Sequence, residues 1–249
     1  MPRRFRIAHY WGVHLSGWEL IGFGDTGWGD EIALGLLVTI SLSLATLPVG
    51  LFIGFMIALA KQSSEKSLRI AADIYTTIFR GLPELLTIFM VYFGLQIGIS
   101  NIARAIGFES GVEINAFLAG MIALALVFSS YSSEVLLSAF RAIPQGQYEG
   151  GYALGMGRAQ TMFKIILPQL IRIALPGLGN LWMILIKDTA LISVIGLADI
   201  MRQTGIAARV TKEAFLFFGI ACMLFLVLAV LSSIVFSRIE KAAKRAEQR

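Results

Sequence analysis

The sequence has little charge, one cysteine and two histidines. Asp, Glu, Lys and Arg make up 15% of its 249 residues, while hydrophobic residues make up 57%; a soluble domain carries about 25% charged residues. Too few ionic side chains are present to cover a surface that faces water. The only cysteine, Cys222, excludes an intramolecular disulfide and a cysteine metal cluster. His9 and His14 are not spaced as a helical metal pair, so we expect no metal site.

Motifs that energy-converting or hydrolytic enzymes need are also missing. No Gly-Lys dipeptide occurs, so the chain cannot build a Walker A loop for nucleotide phosphates. No G-x-S-G sequence occurs, and both histidines precede the apolar part, so an intramembrane serine–histidine dyad has nowhere to form. We therefore expect a chain that is not an enzyme and binds no cofactor of its own.

Five apolar runs are long enough to cross a bilayer, whose hydrocarbon core takes about 20 residues of helix. They cover residues 32–60, 70–99, 114–133, 171–198 and 214–237, the fourth being interrupted. The first run is longer than a bilayer requires, so it must tilt, bend near Pro48 or project beyond the lipid. These runs predict an all-α polytopic membrane protein with about five transmembrane helices.

The basic residues predict which ends of these helices face the cytoplasm. Lys and Arg concentrate after the first run, between the third and fourth, and after the fifth, and cytoplasmic flanks carry such an excess. The net charge of +5 is therefore assigned to these flanks and not to nucleic-acid binding. The prediction is a multi-pass protein with its N-terminus outside and its C-terminus in the cytoplasm. Residues 1–31 would form an outer tail and residues 239–249 a cytoplasmic basic tail.

Two features of the outer tail lead to further expectations. Arg3, Arg4 and Arg6 resemble the start of a signal peptide, but no short apolar segment follows, so we expect no cleavage. The tail also carries three tryptophans, which favour the headgroup region of a membrane. The tail could lie along the outer surface or be loosely ordered. Those tryptophans are Trp11, Trp18 and Trp28.

A polar segment at about 134–177 separates the third and fourth runs and is too long for a simple hairpin. One predicted helix face within it consists of Ala159, Met162, Phe163 and Ile166, spaced i, i+3, i+4 and i+7. Two glycines punctuate the join before this helix, and Pro168 is expected to end or kink it. The pattern fits a compact protrusion that enters a groove on a cytosolic partner, or an interfacial helix lying on lipid headgroups.

The spacing in this segment resembles the EAA loop of the membrane subunits of bacterial ABC importers. Glu149 is followed at the loop's fixed distances by the other pattern residues, with glycines in place of the two alanines. The residues that carry the resemblance are Glu149, Gly150, Gly151, Gly155, Ile165, Leu167 and Pro168. In that family the loop contains a coupling helix that docks on the ATP-binding subunit, which implies the same role for these residues.

Two further stretches extend the resemblance to permeases of the polar amino acid group. They are FRGLPELL at 79–86 and IKDTALISVIG at 186–196, and residues 32–238 fit the five-helix core of a type I importer permease. The histidine and octopine/nopaline systems are similar. The resemblance implies translocation of a polar, basic or opine-type amino acid across the bacterial inner membrane. It also implies two ABC subunits that bind ATP and Mg, a second permease chain, identical or related, and a periplasmic solute-binding protein.

A few ionisable residues interrupt the apolar runs, where charges are costly and often functional. Arg80 and Glu84 are four positions apart and could pair on one helix face, as a structural pair or as part of the substrate pathway. Lys187, Asp188 and Thr189 could contact the charged groups of an amino acid, gate the pathway, or form a polar turn. An ion-coupled secondary carrier is the alternative function, although five spans are few for two inverted repeats.

Overall fold

The chain folds into a bundle of helices in the computed structural model, which describes residues 17–24, 27–107 and 114–245. Within these ranges no strand occurs. The helices are α1 (Gly17–Ile21), α2 (Gly29–Lys61), α3 (Lys66–Gly81), α4 (Glu84–Ala105), α5 (Ala116–Ala142), α6 (Gln145–Ala153), α7 (Arg158–Thr161), α8 (Leu167–Asp188), α9 (Ile200–Thr211) and α10 (Ala214–Arg245). A π-helical turn, Met162–Ile166, joins α7 to α8, and a 3₁₀-helix, Thr189–Ile195, follows α8.

Five segments of the described chain are long and apolar enough to span a membrane, which confirms the predicted all-α fold. Two correspond to α4 and α5, one to α2, one runs from Arg158 to Ile195, and one from Ala214 to Ala243. Helix α2 continues through Pro48 without ending there. The helix α10 extends well past residue 237, because its last turns are polar but still favour helix.

The second apolar run is divided between two helices, which corrects its prediction as a single span over 70–99. Helix α3 ends at Gly81 and α4 begins at Glu84, with Leu82 and Pro83 extended between them. The break has a local cause, because proline disfavours helical geometry in the residue before it and cannot donate to the preceding turn. Arg80 and Glu84 consequently lie on different helices.

The fourth apolar run is continuous with the helix before it, so of the two predicted effects of Pro168, a helix end or a kink, the structure excludes the helix end. Pro168 occupies the first turn of α8, directly after the π-helical turn. Proline is tolerated at this position because the first N–H groups of a helix lack intrahelical partners. The segment that joins α5 to α8 covers residues 143–166, within the predicted 134–177.

Helix α5 forms the centre of the bundle and packs closely against α2. Gly54 of α2 lies so near α5 that a Cβ atom there would approach the Oγ of Ser132 to 2.1 Å. The Ser132 hydroxyl donates a hydrogen bond of 3.4 Å to the carbonyl of Gly50. Small residues allow such close helix contact in membranes, where water does not drive the helices together.

The bundle end that carries α6 and α7 is called the loop end, and the opposite end the far end. Trp28 at the far end is 2% exposed and packs with Ile32, Ala207 and Phe217. The tail was predicted to lie along the outer surface or to be loosely ordered, and at Trp28 the ring is packed between α2, α9 and α10. The predictions for His9, His14, Trp11 and the three N-terminal arginines fall outside the described residues.

Candidate functional site

The α6–α7 loop, residues 143–166, contains two short helices joined by a tight turn at Gly155. Gly155 has a φ of +75°, in the left-handed region that other residues rarely adopt. Its N–H donates to the carbonyl of Tyr152 at 2.9 Å, and the N–H of Met156 donates to that of Gly151 at 3.1 Å. This pair of hydrogen bonds is the Schellman motif that ends many helices. The predicted glycine turn is thus present.

The two glycines that replace the alanines of the EAA pattern have different surroundings. A Cβ on Gly151 would lie 2.7 Å from Cγ2 and 2.8 Å from Oγ1 of Thr161, so α6 and α7 touch at this residue. A Cβ on Gly150 would meet nothing within 4 Å. Packing against Thr161 therefore requires glycine at position 151, whereas a larger side chain would fit at position 150.

Contacts on the inner side of the loop fix it to the membrane helices. Ile166 is fully buried and packs in a cluster with Phe140 of α5, and Ile165 and Leu167 pack against the same cluster. The side-chain amide of Gln169 in α8 donates to the side-chain oxygen of Gln147 in α6 at 3.0 Å. The loop is held at both ends, so a force on α6 is transmitted to α5 and α8.

The outer side of the loop exposes apolar residues beside an acid. Leu154 is 80% exposed and Phe163 is 67% exposed, and Tyr152 and Glu149 are exposed as well. Exposed Pro168 follows at the base of the loop. The sequence pattern placed Phe163 and Ile166 on one helix face because it assumed 3.6 residues per turn, but Ile166 is buried and Phe163 is exposed. The π-helical turn changes that register and places Phe163 outside.

A narrow cleft between α5 and α8 brings together part of the predicted substrate pathway. Its lining includes Tyr131 of α5 and Leu181, Ile184 and Asp188 of α8. The space open to the centre of a water molecule is about 10 Å³, room for roughly one water. The carboxylate of Asp188 is half-buried and experiences the negative charge of Glu84 in the first turn of α4. Asp188 therefore lines the cleft, with the charge of Glu84 acting on it from α4.

The other predicted pathway residues lie in different environments. Lys187 is exposed, away from the lining of the cleft. Thr189 is fully buried and its hydroxyl donates to the carbonyl of Ile186 at 2.7 Å. Arg80 lies with its guanidinium carbon 5.7 Å from the ring centroid of Tyr131, which lines the cleft. Thus Asp188 lines the cleft and Arg80 and Glu84 lie beside it, whereas Lys187 and Thr189 are not part of its lining.

An ion cluster that the sequence did not indicate lies beside the cleft at the loop end. Its members are Lys61, Asp73, Arg80 and Glu134. They come from α2, α3 and α5, far apart in sequence, and no local spacing could have linked them. Arg80 approaches Glu134 and not Glu84, which corrects the predicted intrahelical pair.

Among the residues that the structure describes, no group of three or more His, Cys, Asp or Glu could hold a metal ion. Two pKa values outside the membrane segments are shifted. Burial raises the pKa of Tyr148 on α6, and the nearby Tyr152 raises it further. Burial also raises the pKa of Asp199, at the start of α9, to about 6, although a hydrogen bond from the backbone N–H of Arg202 opposes this shift.

Comparison with protein families gives one match over most of the chain. Residues 50–244 match the family described as the binding-protein-dependent transport system inner membrane component. The match includes the α6–α7 loop, the cleft and the ion cluster.

Individual relatives agree with this match. The chain is 40% identical over 227 residues to the nopaline transport system permease protein NocQ of Agrobacterium fabrum, covering 91% of this chain and 96% of that protein. It is 36% identical over 225 residues to the arginine ABC transporter permease protein ArtQ of Escherichia coli, covering 85% and 94%. The crystal structure of an amino acid ABC transporter with histidines superposes with a TM-score of 0.74 at 30% identity, covering 92% of this chain and 100% of that one.

Proposed function

Because the chain belongs to the family of binding-protein-dependent transport system inner membrane components, we propose that it carries a basic amino acid or an opine across the bacterial inner membrane. It is a membrane-spanning permease subunit of an ABC importer for a polar amino acid. Relatives named for nopaline and arginine transport support the narrower substrate class. The comparisons give no support for the alternative, an ion-coupled secondary carrier.

The α6–α7 loop is the part of this permease that docks on its ATP-binding subunits. The observation that carries this assignment is an ordered loop with Leu154 and Phe163 exposed beside Glu149. Exposed apolar side chains of this size favour a protein partner, and a short helix with an apolar edge fits a groove. The predicted loop residues divide accordingly, with Glu149 and Gly150 outside and Gly151, Ile165 and Leu167 holding the loop together.

ATP and Mg²⁺ would be held by the docked subunits and not by this chain. Closure of two such subunits around ATP would bring the paired loops together, and the helices fixed to each loop would rock and open the pathway on the opposite side. Hydrolysis would restore the first arrangement. The hydrogen bond between Gln147 and Gln169, together with the packing of Ile166, gives the stiff connection that such motion requires.

The substrate pathway passes the cleft between α5 and α8. Asp188 and Glu84 supply negative charge for the ammonium group of a basic amino acid, and a charge-assisted hydrogen bond is stronger than a neutral one. Arg80 lies behind Tyr131 on the other side of the cleft. Lys187 and Thr189 stay proposed gate residues, next in sequence to Asp188.

The orientation and the remaining partners complete the proposal. Residues 1–31 lie on the periplasmic side, residues 32–238 form the permease domain, and the loop and residues 239–249 face the cytoplasm. The excess of Lys and Arg near the loop end supports this orientation. A second permease chain, a periplasmic solute-binding protein and membrane lipid are the other partners, and no nucleic acid is involved.

Replacing Leu154 by aspartate tests the docking assignment. A charge at the centre of an apolar contact is costly, so L154D should lose co-purification with the ATP-binding subunits and ATP-driven uptake in proteoliposomes. The matched control is Ile106→Asp, at an exposed apolar residue just after α4. Normal uptake by L154D would contradict the assignment, and uptake driven by a proton gradient without ATP would favour the secondary carrier.

A further inference from the structure

The two cations that contact Glu134 hold it in different ways. Lys61 Nζ lies 2.5 Å from Glu134 Oε1, and the Lys61 side chain is only 8% exposed. Arg80 Nη1 lies 3.5 Å from the same oxygen, and the Arg80 side chain is 46% exposed. Breaking a buried pair leaves an uncompensated charge, whereas an exposed, longer contact is weak. When the helices move, the contact between Arg80 and Glu134 will break first.

Arg80, which makes the weaker of these two contacts, also touches a residue that lines the cleft. The guanidinium of Arg80 also lies over the ring of Tyr131, and that ring forms part of the cleft lining. Tyr131 and Glu134 are three positions apart and lie on one face of α5. Arg80 contacts both residues and so connects α3 to this face. With the cleft reduced to space for about one water, a substrate could enter or leave only if Tyr131 and its neighbours moved.

Helix α5 also connects Glu134 to the α6–α7 loop. Helix α5 ends at Ala142, and α6 begins at Gln145 after a single turn at Ile143 and Pro144. The cluster around Phe140 and Ile166 fixes the loop to the end of α5. A displacement of the α6–α7 loop therefore reaches Glu134 along about two turns of helix.

We propose that Arg80 and Glu134 form a latch that closes the cleft toward the loop end, with the Lys61–Glu134 pair as the fixed point. Motion of the loop separates Arg80 from Glu134 and Tyr131, and the cleft opens on the side of the ATP-binding subunits. Arg80 and Glu134 act as positioning residues and need not touch the substrate. This proposal rests on the proposed function and assigns a regulation to its pathway.

The latch can be tested by the accessibility of one cysteine in the cleft. In a Cys222→Ser background, Ile184→Cys places the reporter on the cleft lining. The assembled complex is reconstituted, and a membrane-impermeant maleimide is applied from the loop side. Arg80→Gln should increase the labelling rate about fivefold, on the scale of one exposed ion pair plus one cation–π contact. Arg80→Lys keeps the charge and should restore part of the protection.

Asp73→Asn is the matched control. Asp73 belongs to the same cluster and lies 3.1 Å from Lys61, but its side chain is 66% exposed and it does not contact Glu134. Labelling should be unchanged in this variant. An unchanged rate in Arg80→Gln, or an equal rise in Asp73→Asn, would overturn the latch.

Folding and the proposed function are controlled separately. The Arg80 variants leave the partly buried Lys61–Glu134 pair intact, and their unfolding temperatures should stay within about 2–4 °C of the parent. Glu134→Gln should also raise labelling, and a protected reporter in this folded variant would count against the latch. Because labelling requires neither substrate nor ATP, it reports on the latch even if uptake or subunit docking fails.

Discussion

The α6–α7 loop and the cleft are built in contrasting ways. The loop is made of residues that are neighbours in sequence, held by a glycine turn and two short helices, with its apolar side chains outside. The cleft is lined by residues of α5 and α8 that are distant in sequence, and charged residues of α3 and α4 lie beside it. Local changes should therefore disturb the loop through backbone geometry, whereas the cleft should respond to the loss of single charges.

This contrast also predicts which kind of substitution should impair each region. In the loop, an unfavourable φ angle or an extra methyl group at a helix contact changes the shape of the whole protrusion. In the cleft, the backbone is regular helix, and the electrostatic field of a few side chains decides what can bind. The largest effect on transport is accordingly expected from an acid in the cleft.

Asp188→Asn gives that largest effect. If Asp188 binds the ammonium group of the substrate, the variant loses a hydrogen bond between charged groups, worth about 1.5–3 kcal/mol, so KM for uptake should rise on the order of tenfold to a hundredfold. The measurement is the concentration dependence of radiolabelled arginine uptake in proteoliposomes that contain the ATP-binding subunits and the solute-binding protein.

Lys187→Gln provides the comparison for Asp188. Lys187 is adjacent in sequence but exposed and away from the cleft lining. As a gate residue it should affect the rate of uptake and not substrate binding, so its loss should change KM less than about twofold. Equal effects at both positions would show that the end of α8 acts as a polar turn and not as part of the pathway.

The different construction of the two regions decided what could be predicted from the sequence. The loop could be located from the spacing of Glu149, Gly155 and Pro168, because its parts are consecutive. Leu154 was missed because an exposed leucine in a turn has no periodic signal. Phe163 was grouped with Ile166 because the sequence does not reveal the π-helical turn that contains both residues.

The cleft and the ion cluster were mostly beyond sequence reasoning. Arg80 and Glu84 are four positions apart, and only the proline break between α3 and α4 separates them into different environments. Lys61 and Glu134 are 73 positions apart, and neither stands out in an apolar sequence. Such pairs follow from the packing of α2 on α5, which depends on small residues such as Gly54.

Gly155→Val should reduce transport by the next largest amount, because it distorts the turn between α6 and α7. A residue with a Cβ atom in the left-handed region costs about 1–2 kcal/mol, and a branched one is especially unfavourable there. We expect ATP-driven uptake to fall by about tenfold, on the scale of that cost, while membrane insertion stays normal. Uptake and the amount of membrane-inserted protein are measured in parallel.

Gly157→Ala is the control for this change. Gly157 has a φ of −70°, and a Cβ there would meet nothing within 4 Å. Uptake close to that of the parent is expected, since alanine adopts this φ without strain and the change of cap from glycine costs less than about 1 kcal/mol. A matching loss in both variants would mean that general flexibility, and not the turn at Gly155, supports docking.

The two adjacent glycines of α6 should respond differently to the same substitution. Gly150→Ala should stabilise α6 by about 0.5–1 kcal/mol, because alanine favours helix and the site is open. Gly151→Ala should destabilise the loop by about 1–3 kcal/mol through overpacking against Thr161. Hydrogen exchange of the loop amides is the measurement. The double variant Gly151→Ala/Thr161→Ala should recover most of the loss, and no recovery would contradict the assigned contact.

The smallest effect is expected at Asp199. Because this acid lies outside the cleft, its titration shows the effect of burial without any effect of substrate binding. It is fully buried outside both regions, with Oδ1 accepting from the N–H of Arg202 at 2.8 Å and Oδ2 without a hydrogen-bond partner. Its pKa of about 6 exceeds the usual value of 3.8. The folded state therefore binds this proton more tightly than the unfolded state, and its contribution to stability falls as pH rises from about 4 through about 6.

Asp199→Asn removes this titration but keeps a good N-cap for α9, since asparagine caps helices as well as aspartate does. The difference in unfolding temperature between the parent and this variant, measured in detergent at pH 5 and at pH 7, should change in favour of the parent at pH 5. All other ionisable groups are shared and cancel in that difference. A difference that stays constant with pH would show that Asp199 is ionised at both values, and burial alone would then not suffice to hold an acid neutral in this bundle.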